Sequence, residues 1–232
     1  MALLEGVDIS HDDNGIDWEQ VECGGIGFAF CKATEGTSIV DPYLERNLSG
    51  MRSVGIVRGV YHYFRCDEPG GWQAEFCIRT ARRAGYDPAR DLPIALDLED
   101  LEGAQRIGKA RLQFAVSMFL ITARTMIGKL PIIYTSPAFW DEWMDGTDAY
   151  SGHPLWVAHY TGQPNPRLPK GWQKWTFWQY TPRGTVPGIP SVKETDRDRF
   201  HGEDIRALCG LFGIPIPACI RLPANSFHPP QV

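Results

Sequence analysis

The stretch Pro93-Ile94-Ala95-Leu96-Asp97-Leu98-Glu99-Asp100 is an apolar run that ends in acidic residues. An apolar run of this length is typical of a buried strand. Because side chains alternate along a strand, Asp97 and Glu99 should point to the same side, about 7 Å apart at their backbones. Two carboxyls held this close repel each other, so one of them should keep a proton near neutral pH. A protonated acid beside an ionised one is the pair that cleavage of a glycosidic bond requires.

Short apolar runs alternate with amphipathic segments on both sides of this stretch, which indicates an α/β fold. The predicted strands are Gly6–Ser10, Gly25–Ala33, Gly55–Phe64, Leu92–Asp100, Leu130–Thr135, Leu155–Tyr160, Trp175–Tyr180 and a short one around Arg197–Phe200. The predicted helices are Pro42–Val54, Gly71–Ala84, Ala104–Ile127 and Gly202–Phe212. Strand–helix alternation up to about residue 135 implies a parallel sheet, and less helix separates the later strands. The pattern predicts an irregular (β/α) barrel of the TIM type, with eight strands and fewer helices in its second half.

Local signals refine the helices and the domain boundary. The third predicted helix has apolar residues mostly at helical spacing, namely Ile107, Phe114, Ala115, Met118, Phe119 and Ile121. Gly128 suits the end of this helix, and Pro42 suits the first turn of the first helix. We assign residues 1–212 to the barrel and residues 213–232, which are rich in proline and lack periodicity, to an extended C-terminal tail.

Composition limits the possible partners and cofactors. The net charge is −5 and no block of Lys or Arg occurs, which argues against nucleic acid as a partner. No stretch approaches the roughly 18 apolar residues of a membrane helix, so we expect no membrane insertion and a monomer. The six cysteines lack metal-site spacing, and the N-terminus lacks the features of a signal peptide. We therefore expect synthesis in a cytoplasm and mostly free thiols, with a bridge between Cys209 and Cys219 left open.

Polar and aromatic side chains recur where the predicted strands end, which is where α/β barrels carry their chemistry. The acids at these positions are Asp8, Asp97, Glu99 and Asp196, and we predict that they form the catalytic cluster. The predicted substrate-binding residues are Lys32, Tyr61, Tyr63, Tyr134, Trp156, Gln179 and Asp198. Each residue has an ordinary alternative role, such as a turn cap, a counter-charge, a core aromatic or a surface ion pair. A barrel with a purely structural role would not need carboxylates that converge from four strands, because they repel one another.

Six short motifs occur in order along the chain: Gly6-Val7-Asp8-Ile9-Ser10, Lys32-Ala33-Thr34-Glu35-Gly36, Gly59-Val60-Tyr61-His62-Tyr63-Phe64, Ala95-Leu96-Asp97-Leu98-Glu99, Leu155-Trp156-Val157-Ala158 and Phe177-Trp178-Gln179-Tyr180. Together they resemble the N-acetylmuramidases of glycoside hydrolase family 25, over about residues 5–210. The resemblance implies an irregular eight-stranded barrel that cleaves the β-1,4 bond between N-acetylmuramic acid and N-acetylglucosamine in peptidoglycan. It also implies that Glu99 is the catalytic acid, that Asp97 is its partner, and that Asp8 and Asp196 complete the acidic cluster.

One motif departs from the pattern that this chain resembles. The last motif of such enzymes usually has the form Val-Asp-x-Asn-x-Phe, whereas this chain has Thr195-Asp196-Arg197-Asp198-Arg199-Phe200. Asp198 therefore adds a potential charge where an amide is usual. No repeat module for cell-wall binding follows the barrel, and we expect the protein to reach the cell wall through a holin, a virion or a secretion machine.

The expected mechanism is retaining hydrolysis without a metal or an organic cofactor. Glu99, with its pKa raised by nearby carboxylates, would protonate the leaving oxygen and then act as base toward water. Asp97 would either attack the anomeric carbon or orient the N-acetyl group of the substrate as the nucleophile, and we favour the second role. Two other functions remain open from the sequence: a non-catalytic protein that binds cell-wall glycans, and a chitinase-like hydrolase on the same fold.

Overall fold

The computed structural model describes residues 3–13, 15–190 and 194–218, which contain nine strands and seven helices. The strands are β1 (Leu4–Ile9), β2 (Ile26–Glu35), β3 (Ile39–Val40), β4 (Val57–Tyr63), β5 (Ala95–Asp97), β6 (Ile132–Thr135), β7 (Leu155–Ala158), β8 (Phe177–Gly184) and β9 (Thr195–Phe200). The helices are α1 (Trp18–Cys23), α2 (Leu44–Val54), α3 (Gly70–Arg83), α4 (Leu101–Ile107), α5 (Lys109–Ile127), α6 (Pro137–Trp143) and α7 (Ile205–Phe212). Across these residues, no helix has the length and apolar character that a membrane span needs.

Eight strands close into a barrel in the order β1-β9-β8-β7-β6-β5-β4-β2, because β1 pairs with both β9 and β2. The pairings from β1 through β2, β4, β5, β6 and β7 to β8 are parallel. No helix lies between β7 and β8 or between β8 and β9 in the described residues. The prediction of an irregular eight-stranded α/β barrel with fewer helices in its second half is confirmed.

β9 runs antiparallel to both of its neighbours, which the sequence did not predict. Only residues 185–194 join β8 to β9, and a parallel connection needs a crossover of a dozen or more residues. The start of β9, rather than its end, therefore lies at the rim where the parallel strands end. This reversal brings Asp196 beside Asp8, its cross-strand partner on β1.

Alternation of side chains along the strands produces two apolar cores. The inner core, which lies inside the barrel, includes Phe28, Phe30, Ala95, Ile132, Tyr134, Trp156, Phe177 and Phe200. The outer core, which lies between the strands and the helices, includes Val7, Val60, Leu96, Ile133, Val157, Leu48, Ile78 and Phe119. Two glycines give the inner phenyl rings their space, since a Cβ on Gly6 would lie 2.3 Å from the Phe28 ring and one on Gly59 would lie 2.3 Å from the Phe30 ring.

The third predicted helix is in fact two helices, because Gly108 adopts a φ of 77° and separates α4 from α5. Gly128 ends α5 as predicted, whereas Pro42 precedes α2 rather than lying in its first turn. The buried face of α5 comprises Leu112, Val116, Phe119, Leu120, Ala123 and Ile127. Phe114, Met118 and Ile121, which belong to the predicted apolar pattern, are exposed. The pattern identified the helix but not its buried face, because apolar residues occur on most sides of α5.

Two short helices, α1 and α6, were not predicted, although each has a local start signal. Asp17 caps α1 by accepting hydrogen bonds from the backbone N–H groups of Glu19 and Gln20. Ser136 caps α6 by accepting a hydrogen bond from the backbone N–H of Phe139 at 3.1 Å, and Pro137 occupies the first helical position. The α6 helix lies directly after β6 and packs Phe139 and Trp140 into the outer core.

β5 is shorter than predicted and ends at Asp97, so Glu99 lies in the connection to α4. Asp100 stops the strand, because its Oδ1 accepts a hydrogen bond from the Gly103 N–H at 3.0 Å and its Oδ2 accepts one from the Cys66 N–H at 2.9 Å. Leu98 still donates its N–H to the Tyr134 carbonyl at 2.9 Å. The backbone that carries Asp97 and Glu99 therefore stays against β6 up to the rim of the barrel.

The predicted tail begins where α7 ends, at Gly213, which has a φ of 60°. Ile214 is buried in the inner core at the end of the barrel opposite the acids. Residues 219–232 lie outside the described residues, and Cys219 with them. The domain boundary at residue 212 and the bridge between Cys209 and Cys219 stay predictions.

Candidate active site

A cleft of about 210 Å³ opens at the end of the barrel where the parallel strands end. Ten residues line it: Asp8, Tyr61, Tyr63, Asp97, Glu99, Tyr134, Trp156, Tyr160, Gln179 and Asp196. All four predicted catalytic acids are among them, and so are five of the seven predicted substrate-binding residues. The cleft is thus built by side chains from β1, β4, β5, β6, β7, β8 and β9, together with Glu99 after β5 and Tyr160 after β7.

Asp97 and Glu99 differ in depth. Asp97 is 5% exposed and its Oδ1 has no hydrogen-bond partner among the described residues, whereas Glu99 is exposed to the cleft. Burial is the main cause that raises the pKa of Asp97 well above its usual value, and repulsion from Glu99 adds to it. The protein walls of the cleft also raise the pKa of Glu99, while a hydrogen bond with Tyr134 and the charge of Lys32 lower it. The pKa values of both acids are therefore raised, and for Glu99 the leading cause is desolvation by the cleft walls rather than neighbouring carboxylates.

Asp8 and Asp196 face each other across the β1–β9 pair on the opposite wall. Burial is the leading cause that raises the pKa of Asp196 to about 6, and the charges of Asp13 and Glu99 contribute. Burial likewise raises the pKa of Asp8 well above its usual value, followed by repulsion from Asp198 and Asp196. The cleft concentrates acids in a low-dielectric setting, as an active site with one protonated and one ionised carboxyl requires.

Gln179 connects the two walls through its side-chain amide. Its Oε1 accepts hydrogen bonds from the hydroxyls of Tyr134 at 2.9 Å and Tyr160 at 2.7 Å. Its Nε2 donates to Asp8 Oδ2 at 2.7 Å. Tyr160 was not among the predicted site residues, and its position two residues after β7 was the signal that could have identified it.

Aromatic rings form the floor of the cleft. Trp156 is 1% exposed and stacks on Phe30 with ring centroids 4.5 Å apart. Tyr134 meets Trp156 edge to face at 4.7 Å, and Tyr61 does so at 6.4 Å. Trp156 therefore supports the cleft from below, while Tyr63 and Tyr160 remain more accessible at its sides.

Two predicted substrate-binding residues do not line the cleft. Lys32 forms an ion pair with Glu35 at 2.6 Å, and Arg65 contacts the other oxygen of the same carboxylate. The Lys32 ammonium and the Arg65 guanidinium each lie 5.1 Å from the centre of the Tyr63 ring. The charge of Lys32 thus opposes the rise in the pKa of Asp97 and Glu99, and its ammonium contacts the ring of Tyr63, which forms part of the cleft wall.

Asp198 lies beneath the cleft floor and is fully buried. Its Oδ1 accepts a hydrogen bond from Trp156 Nε1 at 2.8 Å. A direct contact with substrate would require Trp156 to move, so Asp198 supports the floor rather than forming it.

A larger cavity of about 610 Å³ lies at the opposite end of the barrel, where β6 and β7 begin. No Asp or Glu from the described part of the chain lines it, so the acid chemistry belongs to the smaller cleft. Within the described ranges, no group of three or more His, Cys, Asp or Glu side chains is arranged to hold a metal ion.

Comparison with known proteins agrees with this geometry. The family described as "Glycosyl hydrolases family 25" matches residues 7–189. Lysozyme M1 of Streptomyces globisporus is 34% identical over 213 residues, which cover 88% of this chain and 70% of that protein. The N,O-diacetylmuramidase of Chalaropsis sp is 28% identical over 186 residues, which cover 76% of this chain and 87% of that protein. The crystal structure of a bacterial lysozyme from Streptomyces coelicolor superimposes with a TM-score of 0.84 at 29% identity, covering 93% of this chain and all of that one.

Proposed function

Since this chain belongs to glycosyl hydrolase family 25 and is a peptidoglycan hydrolase of the lysozyme type, we propose that it cleaves the β-1,4 bond between N-acetylmuramic acid and N-acetylglucosamine with retention of configuration. One observation carries this proposal: four carboxyls, from β1, β5, the β5–α4 connection and β9, meet in one cleft at the mouth of the barrel. The partner is a glycan strand of peptidoglycan, and the setting is lysis of the bacterial cell wall by a phage or a bacterium.

Glu99 is the general acid in this proposal. Its carboxyl is exposed to the cleft, where it can reach a glycosidic oxygen, and its raised pKa keeps a proton available. After the leaving sugar departs, the Glu99 carboxylate accepts the proton of the incoming water. The same group therefore serves both half-reactions, as retention requires.

Asp97 orients the N-acetyl group of the substrate, which attacks the anomeric carbon. The burial of Asp97 behind Glu99 supports this role, because a nucleophile must approach the anomeric carbon itself. The unpartnered Oδ1 of Asp97 supports it as well, since a buried oxygen without a donor suits the N–H of an acetamide. Burial and the charge of Glu99 raise the pKa of Asp97, and the charge of Lys32 opposes them.

The bond that is cleaved can be tested on purified cell walls. We expect the wild type to clear a wall suspension and to release fragments with reducing N-acetylmuramic acid ends in mass spectrometry, while Glu99→Gln releases none. Reducing N-acetylglucosamine ends would indicate a different glycosidase specificity. Binding without any fragments from the wild type would instead support a protein that only binds glycan.

The role of Asp97 needs a separate test. A thiazoline that mimics the cyclised acetamide intermediate should inhibit strongly, because the site stabilises what that compound resembles. A slow fluorinated substrate should leave no sugar mass on the peptide that contains Asp97. A labelled Asp97 together with no thiazoline inhibition would refute the orienting role and leave the hydrolase assignment intact.

A further inference from the structure

Asp198 is a buried carboxyl whose environment suits a neutral group. It is 0% exposed, and its Oδ1 accepts one hydrogen bond from Trp156 Nε1 at 2.8 Å. Its Oδ2 is buried, and no N–H group of the described residues donates to it. A buried carboxylate oxygen without a donor is costly, whereas a protonated oxygen at that place can itself donate.

The acceptor for such a proton is present. Asp198 lies opposite Gly6 and Asp196 lies opposite Asp8 in the β1–β9 pair, so the side chains of Asp8 and Asp198 are diagonal neighbours on one face. Contact with Asp198 raises the pKa of Asp8, after burial as the main cause, and two carboxyls in contact can bond only when one of them carries a proton. Asp8 Oδ2 accepts a hydrogen bond from Gln179 Nε2 at 2.7 Å, so Asp8 has one amide donor besides its Asp198 neighbour. This arrangement connects the buried floor to the cleft, because Asp8 lines the cleft and Asp198 does not.

The charges around the pair are negative. Asp8 and Asp196 are acids on the same face of the β1–β9 pair as Asp198, and Glu5 on β1 adds its charge from the other face. β7 and β8 contribute Trp156 and Gln179, which are neutral. The nearby guanidinium groups of Arg197 and Arg199 point the other way and bind Glu5 at 2.8 and 3.0 Å. Burial is the leading cause that raises the pKa of Asp198 to about 8, and the charges of Asp196 and Glu5 add to it, while hydrogen bonding with Trp156 and Asp8 lowers it.

We propose that Asp198 and Asp8 share one proton in the working enzyme, and that Asp198 is a positioning residue which holds Asp8 in the cleft through that proton. This proposal rests on the hydrolase function proposed above. When the shared proton is lost, two adjacent carboxylates repel each other, and the contact that fixes Asp8 and the floor beneath Trp156 is broken. The cleft therefore loses its working geometry at alkaline pH for a reason separate from the ionisation of Glu99.

Melting temperatures test the shared proton without any substrate. A carboxyl that stays protonated in the fold costs stability as pH rises from its unfolded pKa of about 3.9 to its folded pKa of about 8. Asp198→Asn removes this cost and keeps a donor toward Asp8. We expect the melting temperature of Asp198→Asn minus that of the wild type to be at least about 5 °C larger at pH 8 than at pH 5. The matched control Asp145→Asn, at an exposed site, should show no such gain.

The pH profile of kcat/KM on soluble peptidoglycan fragments tests the positioning role. In the wild type the loss of the Glu99 proton and of the shared proton should give two successive breaks on the alkaline side. Asp198→Asn should lack the break near pH 8, so its ratio to the wild type should rise about tenfold between pH 7 and pH 9.

Two results would overturn the proposal. Melting temperatures of Asp198→Asn and wild type that run parallel from pH 5 to pH 8 would show that no proton is held there. If both proteins are active and their kcat/KM values fall in parallel above pH 7, the proton does not position Asp8. If Asp198→Asn does not fold, the NMR titration of the Asp198 side-chain carbon in the wild type decides, and a midpoint near 4 refutes the shared proton. An inactive wild type would refute the proposed function while the melting and NMR results still stand.

Discussion

The hydroxyl of Tyr134 lowers the pKa of Glu99, the proposed general acid, and replacing this hydroxyl tests that connection. The single hydroxyl proton is shared between Gln179 Oε1, at 2.9 Å, and Glu99, whose pKa the interaction lowers. Tyr134→Phe removes both interactions and keeps the ring that packs on Trp156 with centroids 4.7 Å apart. The pKa of Glu99 should therefore rise, and the enzyme should remain active to higher pH.

The size of this shift follows from the strength of the lost hydrogen bond. A hydrogen bond to a charged group contributes about 1.5–3 kcal/mol, and each pKa unit corresponds to about 1.36 kcal/mol. These values set an upper range of about 1–2 units. Because the Tyr134 hydroxyl is shared between Glu99 and Gln179, we expect a rise of about one unit.

The assay is the alkaline limb of the pH profile of kcat/KM on soluble peptidoglycan fragments, which reports the general acid of the free enzyme. Tyr160→Phe is the matched control, since the Tyr160 hydroxyl also donates to Gln179 but is not bonded to Glu99. The first alkaline break should move up in Tyr134→Phe and stay in place in Tyr160→Phe. An unchanged or lowered break in Tyr134→Phe, or an equal rise in both variants, would refute the reasoning.

Two substitutions and one titration test the site and the fold further. Glu99→Gln keeps the size of the side chain but cannot donate a proton, so wall lysis should fall by at least roughly 10²–10⁴-fold with an unchanged circular dichroism spectrum; near wild-type lysis would assign the acid elsewhere. Arg58→Met leaves Asp91, which Arg58 contacts at 2.7 and 2.8 Å, buried without its partner. Urea unfolding should show a loss of about 3–5 kcal/mol, and a loss within error would contradict a structural role for the pair. Burial lowers the pKa of His62 to about 4, so its imidazole should stay neutral in NMR spectra at pH 5 and stability should fall by up to about 3 kcal/mol from pH 6.5 to pH 4; a titration midpoint near 6.5 would contradict this.

Much of the fold follows from local sequence patterns. Apolar runs such as residues 92–97 identified the strands, since a strand buried on both faces needs apolar side chains on both. The positions of the acids at the rim followed as well, because catalytic groups in such barrels lie at the ends of strands. Both inferences depend only on the one-dimensional order of residues, so the sequence was sufficient for them.

The buried face of α5 shows where local patterns stop. Leu112 and Phe119 are buried, whereas Phe114 and Ile121 are exposed, although all four are apolar. The choice between these faces depends on α3, whose Gly70 approaches the Ala115 carbonyl so closely that a Cβ there would lie 1.8 Å from it. A contact between distant segments fixed the rotation of the helix, and no periodicity within α5 records that contact.

For the site, the sequence by itself determined which residues are the candidates for the chemistry: the acids Asp97 and Glu99, and the strand ends that supply their neighbours. Only the tertiary structure decided their protonation and depth. The antiparallel return of β9 brings Asp196 beside Asp8 and buries Asp198 under Trp156. The physical reason is that the pKa of a carboxyl depends on the solvent, charges and donors within a few ångströms, and those neighbours come from strands far apart in the chain.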